Sequence, residues 1–473
     1  MKNNRNLFLM AILSAVMLLA SCNSAVKTEA TVKIDENGFA ELTDAEVENI
    51  VKRSYQYVTM YNVNNKFAIT QGGWNTIAAD TKLKDHTLTD IARPNNDSFY
   101  TGIMLDLRKG PFIVNLPKFD SKYVSLMVTA YDHYVYVPKA TRLGDFQKDE
   151  KILFYSDRTE NYNGENIEGI DDIFKANGDF ISVVFRVMPH AIEPERFKTV
   201  VDQIGQISMQ SLSEYQGDEP LLVDEIAFPQ IGKSDADIYE NNFLEVMQFV
   251  FNHVSIDKND ELEKELLAAF KPLGIVPGAE YNAETAIKID GKRFRAASEN
   301  VFKHHIGLLA DPSMSEKLAP RIFKPKGQTD LDALITVSVI GPIGLPLDEA
   351  FYPAVNTADG SQMNALNDYV IKMTKDELPP AKAFWSLTLY DKANGFFIPN
   401  EHKKYSVGEN GGMQLNEDGG IEIYVAAEKP EGVPMENWLP INRGDEDLDI
   451  LLRVYVPELD KIAAWEVPLA EKL

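Results

Sequence analysis

Residues 103–116 read Ile-Met-Leu-Asp-Leu-Arg-Lys-Gly-Pro-Phe-Ile-Val-Asn-Leu, two apolar runs separated by the turn 108–111. Apolar runs of about five residues that flank such a turn are typical of a β-hairpin, and we predict one here. Strand-like runs rich in β-branched residues recur at 123–129 and 181–187. Several short strands separated by turn residues predict a β-sandwich for this part of the chain.

Helical patterns flank this strand-rich part on both sides. Thr43 and Glu46 form a capping box, and apolar residues follow at helical spacing, which predicts a helix over 44–60. Between residues 191 and 320, three apolar stripes recur at the spacing of one helix face. Such stripes are far more often core than a cofactor site, so we predict a helical connector here.

Strand-like runs with glycine-rich turns between them return after residue 325, at 369–373, 384–390, 421–426 and 448–456. This pattern predicts a second all-β domain and a chain that is mainly β with α-helix. Residues 333–343 fit a strand or a helix equally well. The domains that we predict are an N-terminal helix plus β-sandwich over 43–190, a helical connector over 191–325 and a C-terminal β domain over 326–473.

The first 21 residues have the features of an export signal. Two basic residues precede an apolar run over 6–20, which is shorter than the roughly 20 residues of a membrane span. The run ends in Leu19-Ala20-Ser21-Cys22, which resembles the lipobox of bacterial lipoproteins, and Cys22 is the only cysteine of the chain. We expect 1–21 to be removed as a signal peptide, Cys22 to be acylated, and 22–42 to tether the protein to a membrane of the cell envelope.

Charge and missing motifs exclude several functions. The 473 residues include 47 Lys and Arg against 72 Asp and Glu, a formal charge of −25, so we expect no nucleic-acid partner. Without a cysteine beyond Cys22, thiolate nucleophiles and cysteine-bound metals are excluded. The chain has no G-x-S-x-G, no H-E-x-x-H and no G-x-G-x-x-G after a strand. We therefore predict no metal site and no cofactor.

Residues 93–100 read Arg-Pro-Asn-Asn-Asp-Ser-Phe-Tyr and precede the first strand of the predicted hairpin. Amides, a carboxylate and a guanidinium group on one short loop can bind a polyol or a carboxylate through several directed hydrogen bonds. The same residues can instead close Asx-turns and satisfy their own backbone. If the loop is functional, its candidate ligand-binding residues are Arg93, Asn95, Asn96 and Tyr100, and its candidate acid or base is Asp97.

A second aromatic and polar segment, Tyr-Asp-His-Tyr-Val-Tyr at 131–136, follows a predicted strand. Tyr131 suits stacking on a sugar ring, and His133 is a second candidate acid or base, although alternating aromatic residues also fit a sandwich edge. Trp438 lies in a predicted loop and is a candidate exposed platform for a ligand. Arg453 interrupts the apolar strand 451–455, where a charge usually points to solvent or to a buried carboxylate.

These motifs together resemble those of bacterial proteins that combine the domains of unknown function 1254 and 1214. The motif at 93–100, with the strand from Tyr123, resembles the first domain. The second domain's pattern is longer and is matched by Leu378-Pro379-Pro380, 384–391, Pro399-Asn400, 437–440 and 452–455. Three positions depart from the family pattern, in which many members carry Arg near Thr336, Arg at Lys404 and Ser at Gly420.

The resemblance implies an Ig-like N-terminal β-sandwich, a helical connector and a C-terminal jelly-roll-like β-sandwich, with a cleft between the β domains. It implies no reaction, because the family has no established activity. We expect an exported lipoprotein that binds or processes a polar small ligand, with carbohydrate favoured, in that cleft. Two alternatives stay open: a hydrolase that uses carboxylates or a His/carboxylate metal site, and a non-catalytic scaffold of the envelope.

Overall fold

The computed structural model describes residues 31–89, 93–309 and 317–473. The predicted signal peptide and Cys22 lie outside the described residues. Within them the chain is mainly β with α-helix, and it folds into two β-sandwiches and a helical domain. No helix in these three ranges is both long enough and apolar enough to cross a membrane.

The N-terminal β domain is an Ig-like sandwich of two mainly antiparallel sheets. Its five-stranded sheet has the order β1 (Thr76–Asp80), β2 (Phe99–Asp106), β8 (Phe180–Val187), β4 (Val124–Ala130) and β5 (Val135–Ala140). Its four-stranded sheet has the order β7 (Asp172–Ala176), β6 (Glu150–Ser156), β3 (Phe112–Leu116) and β9 (Ser208–Ser211). Ile103, Val114 and Phe185 are among the apolar residues buried between the two sheets.

The hairpin predicted over 103–116 is wrong. Strand β2 pairs with β1 and β8, whereas β3 pairs with β6 and β9 in the other sheet. The turn at 108–111 therefore carries the chain from one sheet of the sandwich to the other. Apolar runs indicate strands but not their partners, because strands that face each other across a core can have the same pattern as strands that pair within one sheet.

The C-terminal β domain is a jelly-roll-like sandwich of eight strands in two sheets. The first sheet has the order β10 (Ala350–Phe351), β16 (Leu448–Pro457), β12 (Ala381–Asp391) and β13 (Ser406–Gly408). The second has the order β15 (Trp438–Pro440), β14 (Ile421–Ala426), β11 (Tyr369–Met373) and β17 (Ala470–Lys472). Leu387, Ile423 and Leu452 are among the residues that fill the core between these sheets.

The helices of the described residues are α1 (Asp44–Thr70), α2 (Pro194–Ile204), α3 (Leu212–Gln216), α4 (Asp235–Asn241), α5 (Phe243–His253), α6 (Glu261–Phe270), α7 (Gly291–Leu309), α8 (Leu331–Ile340) and α9 (Leu459–Ile462). The predicted capping box of Thr43 and Glu46 is present, although α1 extends ten residues beyond the predicted end at residue 60. The ambiguous segment 333–343 is mostly α8.

Helix α1 packs with the later helices, although the predicted domains placed it with the N-terminal sandwich. Val51 and Val58 of α1 share one buried cluster with Phe243 of α5, Phe294 of α7 and Ile335 of α8. The predicted tether also joins this domain from Thr31 onward, because the Thr31 amide donates to the Pro272 carbonyl at 2.9 Å and the Ala40 amide to the Lys288 carbonyl at 2.8 Å.

The outer faces of two sheets, one from each β domain, pack against each other. Tyr123, Met127 and Val184 of the N-terminal domain share a buried cluster with Phe384 and Tyr455 of the C-terminal domain. The Phe384 and Tyr455 rings stack with centroids 4.2 Å apart. This contact brings the five-stranded sheet and the β12–β16 sheet together, and it positions the polar residues described next.

Candidate functional site

Strand alternation brings polar residues to the contact between the β domains. In β12, Leu387 and Leu389 enter the sandwich core, so Ser386, Thr388 and Tyr390 point to the opposite face. All three are nevertheless fully buried. The loop at 93–97 of the N-terminal domain contacts Ser386 and Tyr390, and the Phe397 ring of the C-terminal domain itself stacks on Tyr390. The outer face of β12 is therefore a polar surface inside the protein.

The neighbouring strand and the opposing sheet follow the same rule. In β16, Leu452 and Val454 enter the core, which turns Arg453 and Tyr455 to the outer face. In the N-terminal domain, Arg186 of β8 stands opposite Tyr100 of β2 in the strand register. Both lie on the outer face, since the residues on either side of Arg186, Phe185 and Val187, fill the sandwich core.

The loop before β2 crosses onto the C-terminal domain. The Arg93 amide donates to the Gly395 carbonyl at 2.7 Å, and the Tyr390 hydroxyl donates to the Pro94 carbonyl at 2.6 Å. The Asp97 carboxylate accepts a hydrogen bond from the Ser386 hydroxyl. The 93–97 loop is thus part of the contact between the two β domains.

Asn95 joins the two domains and also closes a turn. Its Nδ2 donates to the Tyr455 hydroxyl at 2.7 Å and to the Tyr100 hydroxyl at 3.1 Å. Its Oδ1 accepts the Asp97 amide at 2.8 Å, which is the Asx-turn that the sequence offered as the alternative. Turn closure and ligand binding are therefore compatible roles for this loop. The Asn95 side chain accepts a backbone amide through Oδ1 and still orients two tyrosine hydroxyls through Nδ2.

Arg453 is 3% exposed, so it does not point to solvent. Its Nη1 donates to the Thr388 hydroxyl at 2.7 Å, and its Nη2 donates to the Tyr390 hydroxyl at 2.7 Å and to the Arg93 carbonyl at 3.1 Å. It forms no salt bridge with a carboxylate of the described residues. Asp97 is the acidic group whose charge it balances at longer range, because burial raises the pKa of Asp97 and Arg453 opposes that rise.

Arg186 is also 3% exposed and forms no salt bridge within the described ranges. Its Nη2 donates to the Ile343 carbonyl at 2.8 Å, and its Nη1 lies 3.7 Å from the Met127 sulfur. The guanidinium carbon is 5.6 Å from the centre of the Tyr100 ring, a cation–π contact. A strongly basic group is therefore held inside the protein by neutral partners.

Tyr352 packs against the buried cluster that contains Phe384 and Tyr455, and it completes this group of residues. Burial raises the pKa of its hydroxyl to about 12, and the charges of Arg186 and Arg453 limit the rise. The hydroxyl therefore stays protonated at neutral pH and can donate a hydrogen bond. We call the following set the interface site: Asn95, Asp97, Tyr100, Arg186, Tyr352, Arg453 and Tyr455.

A cleft of about 600 Å³ opens between the β domains beside the interface site. Thr141 and Arg142 line one side, and Lys382 and Lys461 are among the residues on the other. None of the predicted site residues lines this cleft. Those of them that belong to the interface site lie instead in the packed contact next to this cleft.

A buried acid lies between the cleft and the interface site. Arg142 in the cleft pairs with the fully buried Glu349, whose Oε2 accepts the Tyr123 hydroxyl at 3.3 Å. Burial raises the pKa of Glu349 to about 7, and Arg142 opposes this rise. The Tyr123 ring lies 5.0 Å from the Tyr455 ring, so the network runs from the cleft to the interface site.

Tyr131 lies outside the interface site, in the core of the helical domain, so it does not line a cleft between the β domains as predicted. Its ring packs 5.4 Å from Tyr61 and 5.8 Å from Phe180, and its hydroxyl accepts Asn65 Nδ2 at 3.0 Å. The far end of β4 meets helix α1 rather than the C-terminal domain. Strand sequence alone does not indicate which neighbour covers that end.

His133 is likewise structural in its contacts. Its Nδ1 lies 2.9 Å from the Ser338 hydroxyl and its Nε2 lies 2.9 Å from the Pro342 carbonyl, which satisfies both ring nitrogens. Burial lowers the pKa of His133 to about 4, so the ring is neutral at pH 7. It has no contact with Asp97, the other predicted acid or base.

Trp438 is 4% exposed, so the prediction of an exposed platform is wrong. Its Nε1 donates to the Ala426 carbonyl at 2.9 Å, and its strand β15 pairs in parallel with β14. A parallel pairing between short strands joins distant segments and cannot be read from the local sequence. Trp438 thus lies in the second sheet of its sandwich, whereas the interface site is built on the first.

Two further predicted residues stand at the edge of the loop. Arg93 is largely exposed and pairs with Asp449 at 2.6 Å. The Asn96 Oδ1 is buried without a hydrogen-bond partner among the described residues. Of the predicted residues, the structure therefore brings together Asn95, Asp97, Tyr100 and Arg453.

Arg186, Tyr352 and Tyr455 were not among the predicted residues. Arg186 carries the same signal as Arg453, since each is a single charge inside an apolar strand. Tyr352 and Tyr455 have no such signal, because tyrosine is common in buried strands. Across the described ranges, no group of three His, Asp or Glu residues is arranged to hold a metal ion.

The three departures from the family pattern do not meet at one place. Thr336 is buried in α8 and donates to the Asp332 carbonyl at 2.7 Å. Burial lowers the pKa of Lys404 to about 8, and its amine donates to the Glu436 carbonyl at 3.0 Å. Gly420 lies just before β14. None of these three has a hydrogen bond or salt bridge to the interface site.

Comparison with known proteins identifies both domains. The family described as "Protein of unknown function (DUF1254)" matches residues 43–209, and that described as "Protein of unknown function (DUF1214)" matches residues 349–459. No curated protein matches the chain.

Two solved structures are similar. The crystal structure of the VPA0106 protein from Vibrio parahaemolyticus has a TM-score of 0.70 and 21% identity, over 91% of this chain and 99% of that chain. A putative uncharacterized protein from Burkholderia cenocepacia has a TM-score of 0.40 and 13% identity, over 91% of this chain and 93% of that chain. The first shows that the fold extends over nearly the whole chain. With both domain matches in the predicted order, the chain belongs to the family of proteins that combine the domains of unknown function 1254 and 1214.

Proposed function

We propose that this protein binds a polar small molecule between its two β domains, at the interface site. The observation that carries the proposal is the convergence of amide, hydroxyl and guanidinium groups from both domains around the half-buried Asn95 and Tyr100. Ligand sites are preferentially found at domain interfaces, with a few directed polar groups among apolar ones. The buried cluster around Phe384 and Tyr455 supplies the apolar groups of such a site.

The energetics of the contact support the same function. Buried charges stabilise a fold little, and apolar residues of similar size are often as good or better. Arg186 and Arg453 are therefore a poor means of merely joining two domains. Hydroxyl and amide groups match a polyol, and tyrosine rings can pack on the face of a sugar, so carbohydrate is the ligand class that we propose. If the ligand is processed, Asp97 is the candidate acid, because burial raises its pKa.

A non-catalytic scaffold is the second candidate function. It is favoured by the apolar packing of the same contact, in which the Tyr123 ring of one domain lies 6.0 Å from the Phe384 ring of the other. In that case the polar groups would only fix the relative orientation of the domains. Replacement of these polar groups would then change the stability of the protein, and no ligand affinity would change because no ligand would bind.

A ligand screen with a matched pair of variants tests the proposal. Sugars are added to the purified protein, and its thermal unfolding is followed for a rise in midpoint. Tyr455→Phe removes one hydroxyl of the interface site, whereas Tyr239→Phe removes a hydroxyl of equal burial from the helical domain. We expect the stabilisation by the ligand to be lost in the first variant only. No stabilisation by any sugar, or equal loss in both variants, would argue for the scaffold.

Export and a lipid anchor at Cys22 belong to the same proposal. They are supported by the basic and apolar residues before Leu19-Ala20-Ser21-Cys22. Labelling of cells with a tagged fatty acid should mark the wild-type protein and should fail to mark Cys22→Ser. Equal labelling of the two would contradict the anchor without affecting the proposed binding site.

A further inference from the structure

We propose that the ligand of the interface site carries an anionic group, a carboxylate or a phosphate, and that Arg186 binds it. This inference rests on the proposed function and names the class of ligand. It assigns a role to a buried arginine that has no salt bridge in the described part of the chain.

The hydrogen-bond partners of Arg186 leave most of its capacity unused. A guanidinium group has five N–H donors and one full charge. Among the described residues, Arg186 has one carbonyl acceptor, on Ile343, and one weak sulfur acceptor, on Met127. Its planar fork is the group that binds carboxylates and phosphates through two parallel hydrogen bonds.

Comparison with the other arginines makes this unusual. The chain has 72 acidic residues and a formal charge of −25, so carboxylates are plentiful. Three other arginines with little exposure pair with them: Arg53 with Glu265 at 2.6 Å, Arg108 with Asp106 at 2.7 Å and Arg142 with Asp348 at 2.7 Å. Arg453 also has no salt bridge, but Asp97 balances its charge at longer range. Arg186 is more deeply buried than the three paired arginines and faces tyrosines instead. A ligand anion would supply the charge that the described residues do not.

The neighbours of Arg186 suit an anion. The guanidinium group lies over the Tyr100 ring, and Tyr352 and Tyr455 belong to the same packed cluster as Tyr100. A tyrosine hydroxyl can donate a hydrogen bond to an anionic oxygen. The nearby acid, Asp97, accepts from Ser386 and is balanced by Arg453, so it lies on the C-terminal side of the site. Lys84, at the edge of the site near Tyr100, already pairs with Asp80. Within residues 31–89, 93–309 and 317–473, Arg186 is therefore a buried cation that no carboxylate pairs with.

The test uses five probes on the purified full protein: inorganic phosphate, succinate, glucose, glucuronate and glucose 6-phosphate. Thermal unfolding is compared with chloride at equal ionic strength, and affinities are measured by calorimetry. We expect a charged sugar to bind at least about tenfold more tightly than glucose, because a bidentate arginine contact is gained. Succinate and glucuronate report a carboxylate site, and phosphate and glucose 6-phosphate report a phosphate site.

Variants connect the effect to Arg186. Arg186→Gln should abolish the preference for the charged probes, Arg186→Lys should keep the charge and part of the preference, and the exposed Arg443→Gln should behave as wild type. If Arg186→Gln fails to fold, the reduced preference of Arg186→Lys is decisive. Equal preference in wild type and both Arg186 variants overturns the inference.

The remaining outcomes separate the inference from the proposed function. Binding of glucose that Tyr455→Phe abolishes, without tighter binding of either charged sugar, overturns the anionic ligand and leaves the proposed function standing. A failure of all five probes, together with a failure of the wider sugar screen, overturns both.

Discussion

Replacement of Glu349 by glutamine tests the electrostatics of the wall between the cleft and the interface site. Glu349 is fully buried, and burial raises the pKa of its carboxyl from 4.5 to about 7 against the effect of Arg142. Between these two values the unfolded chain has lost the proton that the folded protein retains. Stability therefore falls as the pH rises, and at about 1.4 kcal/mol per pH unit the loss reaches about 3 kcal/mol near pH 8.

Glutamine has nearly the same shape and does not ionise. We expect the free energy of unfolding of Glu349→Gln, relative to wild type, to rise by about 3 kcal/mol between about pH 4.5 and pH 8. Urea unfolding at several pH values, followed by tryptophan fluorescence, measures this difference. Taking the difference between two variants of one protein cancels every other group that titrates in this range.

Tyr239→Phe is the control, since the difference between its free energy of unfolding and that of wild type should stay constant from about pH 4.5 to pH 8. Burial raises the pKa of Tyr239 well above its ordinary value, so its hydroxyl does not ionise there. Parallel curves for Glu349→Gln and wild type from about pH 4.5 to pH 8 would contradict the raised pKa, because the Glu349 carboxyl would then ionise equally in the folded and unfolded protein.

Three other predictions follow from residues already described. Trp438→Ala should lower the free energy of unfolding by about 3–5 kcal/mol in urea titrations and leave ligand affinity unchanged; a loss of affinity would place Trp438 in the site after all. Because burial lowers the pKa of His133 to about 4, its ring should stay neutral in an NMR titration down to about pH 5, and protonation near pH 6.5 would contradict its burial. Arg186→Met should leave the ligand-free protein as stable as wild type or up to about 2 kcal/mol more stable, since the change removes a buried charge that has no salt bridge among the described residues; strong destabilisation in urea would show that the charge is structural.

Strands could be predicted from the sequence more readily than their partners. The runs at 103–116 and 384–390 are strands as predicted, because β-branched and aromatic residues between turns are a local signal. Pairing is not local: β2 finds its partners at the N-terminal edge and at β8, about 80 residues later. A hairpin and a crossing between two sheets require the same strand-forming residues at 103–116. The local sequence therefore cannot distinguish the two topologies.

The residues of the candidate site could be predicted only where a charged side chain interrupts an apolar strand. Arg453 and Arg186 each interrupt an apolar strand, which marks a face that is neither core nor ordinary surface. Trp438 and Tyr131 give no such signal, since aromatic residues are found equally on exposed binding surfaces, at sheet edges and in buried cores. Whether they are exposed depends on strand β15 and helix α1, which approach from distant parts of the chain.

The hydrogen bond from Asn95 to the Tyr455 hydroxyl spans 360 positions of the chain. Nearly the whole polypeptide must therefore be synthesised and folded before the two halves of the interface site can meet. A product truncated before β16 would keep Asn95, Tyr100 and Arg186 and still have nothing for them to face. In this architecture, only a protein whose N-terminal and C-terminal β domains have both folded and packed together would bind the ligand.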